Sequence, residues 1–239
     1  RRVLFRSIVP RVRNDAHRLI EEAMLIANCC SADFILQAKH PGLFRVHEGP
    51  TPEKLELLRS YLKALGLPLT VSDDPAPSEF QAIAKATEGR PDVQQIHTML
   101  LRSMQQAIYT PINSGHFGLA FEAYTHFTSP IRRYPDLLVH RVIKAILAKK
   151  RYELPQLPTP GEAHAKFSRR LAQRGRAPAA STGKGKAAAT QSAWEAAGLH
   201  CSANERRADE ASKDVEAWLK CKFMRDHLGE EYSGVVKIG

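Results

Sequence analysis

The sequence predicts an α+β fold, mostly helical with a few short strands. Three observations carry this. Apolar residues recur three and four apart in segment after segment, and most of these segments open on a helix-capping residue. Two short runs, Leu43–His47 and Phe117–Phe121, are rich in aromatic and branched side chains, as strands are. A low-complexity stretch of Pro, Ser, Gly, Lys and Ala, within 153–192, then sets the last helical segment apart from the others.

In chain order, Asn14 or Asp15 can cap a first helix that runs to about Lys39. Its stripe is Leu19, Ile20, Ala23, Met24, Ala27, Cys30, Phe34 and Ile35, and Leu25 and Ile26 widen it. A stripe that wide predicts burial on most sides. His40-Pro41-Gly42 ends the helix, and Leu43–His47 reads as a strand. Thr51-Pro52-Glu53 supplies a cap, a first-turn proline and a first-turn acid to a second helix, with Leu55, Leu58, Tyr61, Leu62 and Leu65 on one face. Gly66 is its stop. A Pro- and Asp-rich loop over 67–77 leads to Ser78-x-x-Gln81, a capping-box pattern for a short helix to about Thr87. Asp92 starts another helix, expected to reach about Ile108.

Phe117, Leu119 and Phe121 alternate with small or polar residues and predict a half-buried strand. Ser129-Pro130 is a helix-start signal, which would place Arg132 and Arg133 in a first turn beside free backbone N–H groups. Pro135 offers a second start and would leave Ser129–Tyr134 as a tight turn. The helix then continues to about Lys150 on a face of Val139, Val142, Ile143 and Ile146. Ser202-x-x-Glu205 is a capping box for a long helix to about Leu228, with Ala208, Ala211, Val215, Trp218, Leu219 and Phe223 inward.

Composition narrows the function classes. No apolar run approaches the length of a membrane span, and no secretory leader pattern is visible, so a cytoplasmic location is expected. None of the four cysteines forms a C-x-x-C pair, and adjacent Cys29-Cys30 read as small buried residues. The net charge is +10. Residues 163–194 carry seven Lys or Arg and no acid, and residues 1–18 carry six Arg and one Asp, so what remains sums to −2. The basicity therefore lies mostly in two local stretches, and by itself points only to an unspecific attraction for polyanions.

The chemistry-bearing stretch is His116–Arg141, with His126-Phe127-Thr128-Ser129-Pro130-Ile131-Arg132-Arg133-Tyr134 at its heart. Guanidinium groups at a helix start suit a phosphate. Taken alone, the same residues read first as a strand-to-helix junction with two solvated arginines.

The whole stretch resembles the signature of the ribonuclease II / ribonuclease R family of 3′→5′ exoribonucleases, whose catalytic unit is the RNB domain. The resemblance rests on His116-Phe117-Gly118-Leu119, Tyr124, Thr128–Tyr134, Asp136 and His140. It extends to Arg13–Glu22, Leu43–Glu48, Met99–Met104, Glu205–Ala211 and Trp218–Cys221. It implies an enzyme that processively hydrolyses single-stranded RNA to nucleoside 5′-monophosphates in RNA turnover. Two metal ions, normally Mg²⁺, would be held by an aspartate cluster upstream of this region. Asp73-Asp74 is the only Asp-Asp pair here and does not match that cluster. Arg132 matches the family arginine that contacts the scissile phosphate and is the expected catalytic residue. Glu22 matches a glutamate that contacts the 3′-terminal nucleotide, an alignment that Glu21 shares to within one position. Tyr124, His126, Thr128, Ser129, Arg133 and Tyr134 are the further substrate-binding candidates, while His116, Asp136 and His140 are expected to be structural. No metal ligand is expected in this chain.

The resulting organisation has five parts. Residues 1–7 equal the translation of a common sequencing-adapter end and are set aside. Residues 8–155 are the C-terminal part of an RNB domain, 156–193 a disordered basic insertion, and 194–228 the closing helix of the domain. Residues 229–239 would begin an S1 (OB-fold) barrel, of which Glu231–Gly239 is the first strand. Single-stranded RNA is the expected partner, no membrane is, and nothing demands more than a monomer. Without the aspartates the chain alone is expected to be inactive. The competing expectation is a non-catalytic RNA-binding module derived from an RNB domain.

Overall fold

The structure, a computed structural model, describes residues 12–67, 71–154 and 186–232. The elements are α1 (Asp15–Gln37), β1 (Phe44–Val46), α2 (Pro52–Ala64), α3 (Pro77–Ala86), α4 (Val93–Ser103), β2 (Ile108–Thr110), a 3-10 turn (Phe117–Leu119), α5 (Tyr134–Leu147), α6 (Lys186–Met224) and a last 3-10 turn (Arg225–His227). The chain divides into two compact units, one of residues 1–157 and 178–198, the other of 158–177 and 199–239.

Local chemistry sets the helix ends. The Asn14 side chain accepts from the His17 N–H, and the His17 ring takes the Asn14 N–H in return, which satisfies two orphan donors at the start of α1. Thr51 caps α2, Pro52 fills its first turn, and Gly66 at φ +67° turns the chain out of it. α3 starts earlier than the Ser78-x-x-Gln81 pattern suggested. Its box is closed by Glu79, whose carboxylate accepts from the backbone N–H groups of Ala76 and Ser72. α4 stops at Ser103, short of Ile108, because the chain turns extended at Met104, and Lys54 Nζ donates to the Arg102 and Met104 carbonyls.

The next residues form β2, which the sequence did not announce. It pairs antiparallel with β1 in the register Phe44–Thr110, Arg45–Tyr109 and Val46–Ile108. Three residues between two turns carry too little period to be read. The other edge of β1 holds the motif stretch. His47 N–H donates to Gly115 O, Phe117 N–H to His47 O, and Arg45 N–H to Tyr124 O. β1 is thus the rail on which both segments hang.

One apolar cluster of the first unit consists of Leu55, Leu58, Leu62, Phe80, Ile83, Ile96 and Leu100, from α2, α3 and α4, with Val71 from the loop between α2 and α3. A second lies where α1 packs on α5, with Ala32, Ile35, Leu138, Val139 and Val142 buried. Trp194 of α6 is buried, with Tyr152 beside it.

Several expectations are corrected. α1 is buried only on its C-terminal half; Leu19, Ile20, Met24 and Ile26 are exposed, as is Cys30, while Cys29 is half-buried. The apolar spacing marks a face that could be covered, and no described residue covers its first turns. Phe117–Leu119 is a 3-10 turn and not a strand, since Ala120 takes the left-handed conformation at φ +56° and doubles the chain back to pair His116 with Phe121. Of the two starts the sequence offered, Ser129-Pro130 is not the one used: α5 begins at Tyr134, beside Pro135, so Arg132 and Arg133 precede the helix in the tight turn. α6 is already helical from Lys186, inside the stretch expected to be disordered, and Ser202 lies within it and not at its start. Val215 and Trp218 are exposed on it. Residues 1–7, most of the 156–193 insertion and most of the expected S1 strand lie outside the described residues.

Candidate functional site

The loop Tyr124–Arg133 has no regular secondary structure, yet almost every residue in it is tied down. Tyr124 O accepts from Arg45 N–H, and Thr125 Oγ1 donates to Leu43 O at 2.6 Å. The Tyr124 hydroxyl meets Asn28 Nδ2 at 2.8 Å, and Phe127 N–H donates to Asn28 Oδ1 at 3.0 Å. The Phe127 carbonyl accepts from His140 Nε2 at 2.9 Å, and the two rings stack with centroids 4.1 Å apart. Ser129 N–H donates to Asp136 Oδ1 at 2.8 Å, while Ser129 O accepts from the Arg132 and Arg133 N–H groups. The Ser-Pro step therefore caps a tight turn held against the first turn of α5.

The two arginines have different surroundings. Arg133 folds back on Asp136 with Nε and Nη2 at 2.9 and 2.8 Å. The carboxylate is fully buried and takes three N–H donors, two of them from one guanidinium fork. Arg132 stands exposed beside the fully exposed Ile131 and makes no ion pair with a described residue. It is the guanidinium this turn presents to solvent.

His126 lies between them and the sheet. Its Nδ1 shares a hydrogen bond with the Tyr109 hydroxyl at 2.8 Å, and the Arg45 guanidinium covers the Tyr109 ring at 4.6 Å. Burial, and then the positive charges of Arg133, Arg45, His116 and Arg132, push the His126 ring down to about 3. His116 is pushed down to about 4, by burial first and by His47 and Arg45 after it. Both rings are neutral at physiological pH, so the site's positive charge rests on its arginines.

Of the residues singled out in the sequence, His126, Thr128, Ser129, Arg132, Arg133 and Tyr134 share this one loop and helix start. Tyr124 lies behind it, buried, with its hydroxyl turned to α1. Glu22 is exposed on the early turns of α1. Glu21, seven residues before Asn28, falls on the helix face that meets the loop, and pairs with Arg13; Glu22 lies about 100° further round. Sequence reasoning missed Asn28, Arg45 and Tyr109. Asn28 had a signal, a polar residue amid an apolar helical stripe. Asp136 and His140 each hold the loop from α5. Among the described residues no three His, Cys, Asp or Glu side chains come together as a metal site requires.

Residues 5–149 match the model of the RNB domain family, labelled RNB domain. The chain belongs to the RNB domain family. Within that family it is 46% identical to ribonuclease R of Vibrio cholerae over 231 residues, and 45% identical to ribonuclease R of Escherichia coli over 224. These alignments cover 96% and 94% of the chain and 25% of each relative, so the chain spans about a quarter of their length. Among solved structures, the RNB fold is shared with the apo form of Mycoplasma genitalium RNase R, at a TM-score of 0.71 and 22% identity, covering 92% of this chain and 30% of that one. The same bacterial enzyme in complex with ribose-methylated single-stranded RNA gives a TM-score of 0.71 at 21% identity, again over 92% and 30%. Yeast Ssd1, described as a pseudonuclease, gives 0.51 at 24% identity, over 58% of this chain and 18% of that one.

Proposed function

We propose that this chain forms the phosphate-facing wall of a 3′→5′ exoribonuclease, one that processively hydrolyses single-stranded RNA to nucleoside 5′-monophosphates in cytoplasmic RNA turnover. The observation that carries the proposal is the contrast between the two arginines. A loop fixed from α1, β1, β2 and α5 leaves Arg132 exposed while Arg133 is spent on Asp136. A guanidinium held ready at the place where charge grows on a phosphoryl group lowers the barrier without reorganising at the moment of reaction. Its planar fork suits phosphate oxygens better than an ammonium does. Neutral His126 and the hydroxyls of Thr128 and Ser129 line the same loop as hydrogen-bonding groups for the RNA, with Tyr134 at the helix start and Glu22 on α1 toward the terminal nucleotide. Mg²⁺ is the metal the family implies; the described residues do not form a ligand set for it.

The test is Arg132→Ala in the full-length protein, scored by mononucleotide release from poly(A). Turnover is expected to fall by about 10²- to 10³-fold, the loss seen when one preorganised donor to a developing oxyanion is removed. RNA affinity should change little. Unchanged turnover overturns the assignment.

A second function, a non-catalytic RNA-binding module, is favoured by one observation: a pseudonuclease shares part of this fold. The gene sequence upstream of Ile8 separates the two. An aspartate-rich RNB motif there supports the nuclease, and a start codon immediately before Ile8 supports the binding module.

A further inference from the structure

We propose that Asn28 is a positioning residue for the phosphate-facing turn, acting on the reaction through Arg132; the inference rests on the function proposed above. Asn28 is buried, at 3% exposure, in the middle of α1. A helix interior disfavours Asn relative to Ala or Leu, because its amide competes for backbone hydrogen bonds. Here the amide makes no such local bond. It reaches across to the motif loop with both ends, donating from Nδ2 to the Tyr124 hydroxyl at 2.8 Å and accepting at Oδ1 from Phe127 N–H at 3.0 Å. The two partners flank Thr125 and His126, so one side chain fixes a four-residue span.

The consequences run forward along the chain. Phe127 is held at its carbonyl by His140, so with Asn28 on its N–H it is gripped from α1 and from α5. Two residues on, Ser129 anchors to Asp136, and its carbonyl accepts from Arg132 N–H. Without Asn28 the α5 anchors remain, and the α1 side of the loop loses its hydrogen bonds. The Phe127 N–H is then left unpaired in a part-buried site, and the loop moves to satisfy it. Asn28 also ties the helix that carries Glu21 and Glu22 to the loop that carries Arg132, and so sets the separation of the two sides of the candidate site.

The test is a double-mutant cycle in the full-length protein. Asn28→Ala should lower kcat for poly(A) by about 10- to 100-fold while KM stays within about twofold, because a displacement near 1 Å costs rate and not ground-state binding. In an Arg132→Ala background, Asn28→Ala should cause no further loss, since the group it positions is gone. Asn28→Asp keeps the acceptor for Phe127 N–H and lets the Tyr124 hydroxyl donate instead. It should recover a large part of the kcat lost in Asn28→Ala, although the buried charge lowers Tm. If Asn28→Ala unfolds the protein, Tyr124→Phe, which removes one of the two Asn28 hydrogen bonds, carries the same cycle with a smaller loss. Losses that multiply across Asn28 and Arg132, or kcat values that track Tm alone, overturn the positioning role. An Arg132→Ala enzyme of normal turnover instead overturns the proposed function, and that outcome is read from the single variant.

Discussion

Asp136 ties the turn of the candidate site to the start of α5, through Ser129 N–H and the Arg133 guanidinium. It is fully buried, and its partner Arg133 is about a fifth exposed at the side chain. Removing one member of such a pair leaves the other uncompensated, at a cost of about 3–5 kcal/mol where burial is deep and less where water reaches the guanidinium. Asp136→Ala should therefore lower Tm clearly and release the Ser129 turn, with turnover falling alongside; thermal melts and poly(A) assays on the same preparation check this. The histidines give a pH prediction of definite sign. His126 and His116 have folded values of about 3 and about 4, below the ordinary 6.5. The unfolded chain therefore binds more protons than the folded one from about pH 6.5 down to those values, and stability falls as pH drops through that window. Above it their contribution is constant. His126→Gln should flatten the acid side of a Tm-against-pH curve, and an unchanged slope would show that His126 is not the group responsible. At this scale Arg132 and Arg133 are alike by residue type, and in the sequence only the family resemblance set Arg132 apart. What separates them is a carboxylate three residues further on that only the turn brings round.

At the scale of elements, helix ends were legible wherever a cap is local. Asn14, Thr51 and Gly66 act within a few residues of their own position, and α1 and α2 lie close to where the sequence put them. The errors came where distant neighbours decide. β2 exists because β1 pairs with it, and the 3-10 turn exists because Ala120 and the His116–Phe121 bridge fold the chain back. α6 could be read in part only, since its first turns lie in a stretch of low-complexity composition. Gly198 in α6 shows how such a neighbour acts. A Cβ there would lie 2.5 Å from the Tyr109 carbonyl oxygen, in backbone that also forms β2. Helix propensity alone favours Ala over Gly by about 1 kcal/mol. Overpacking against backbone costs about 1–3 kcal/mol and outweighs it. Gly198→Ala should therefore destabilise, and denaturant melts of the full-length protein check the sign. A more stable Ala variant would mean that α6 does not approach β2 so closely.

For the molecule as a whole, the chain spans about a quarter of the ribonuclease R relatives, and its described residues bring no acidic cluster together. The purified 239-residue chain is expected to release no mononucleotides from poly(A) with Mg²⁺; release above background would contradict the division of labour proposed here. Charge belongs to this scale too. Two stretches carry more than the whole +10 and the rest sums to −2, so the proposed RNA contact through the site is not expected to rest on overall basicity. Deleting 163–185 from the full-length protein should leave the salt dependence of RNA binding unchanged. A slope reduced by several units would make that stretch an RNA-contacting arm.

The anchors of the motif loop also carry a message about time. Its hydrogen bonds to Leu43 and Asn28 span 82, 96 and 99 residues of chain. Contacts of such separation form only after most of the loop-closure entropy has been spent, and they slow folding. The Ser129–Arg133 turn is thus expected to be among the last features to acquire its shape. A nascent chain that has made the arginines but not yet closed α1 and β1 around them has no site, and a peptide carrying the motif alone will never acquire one.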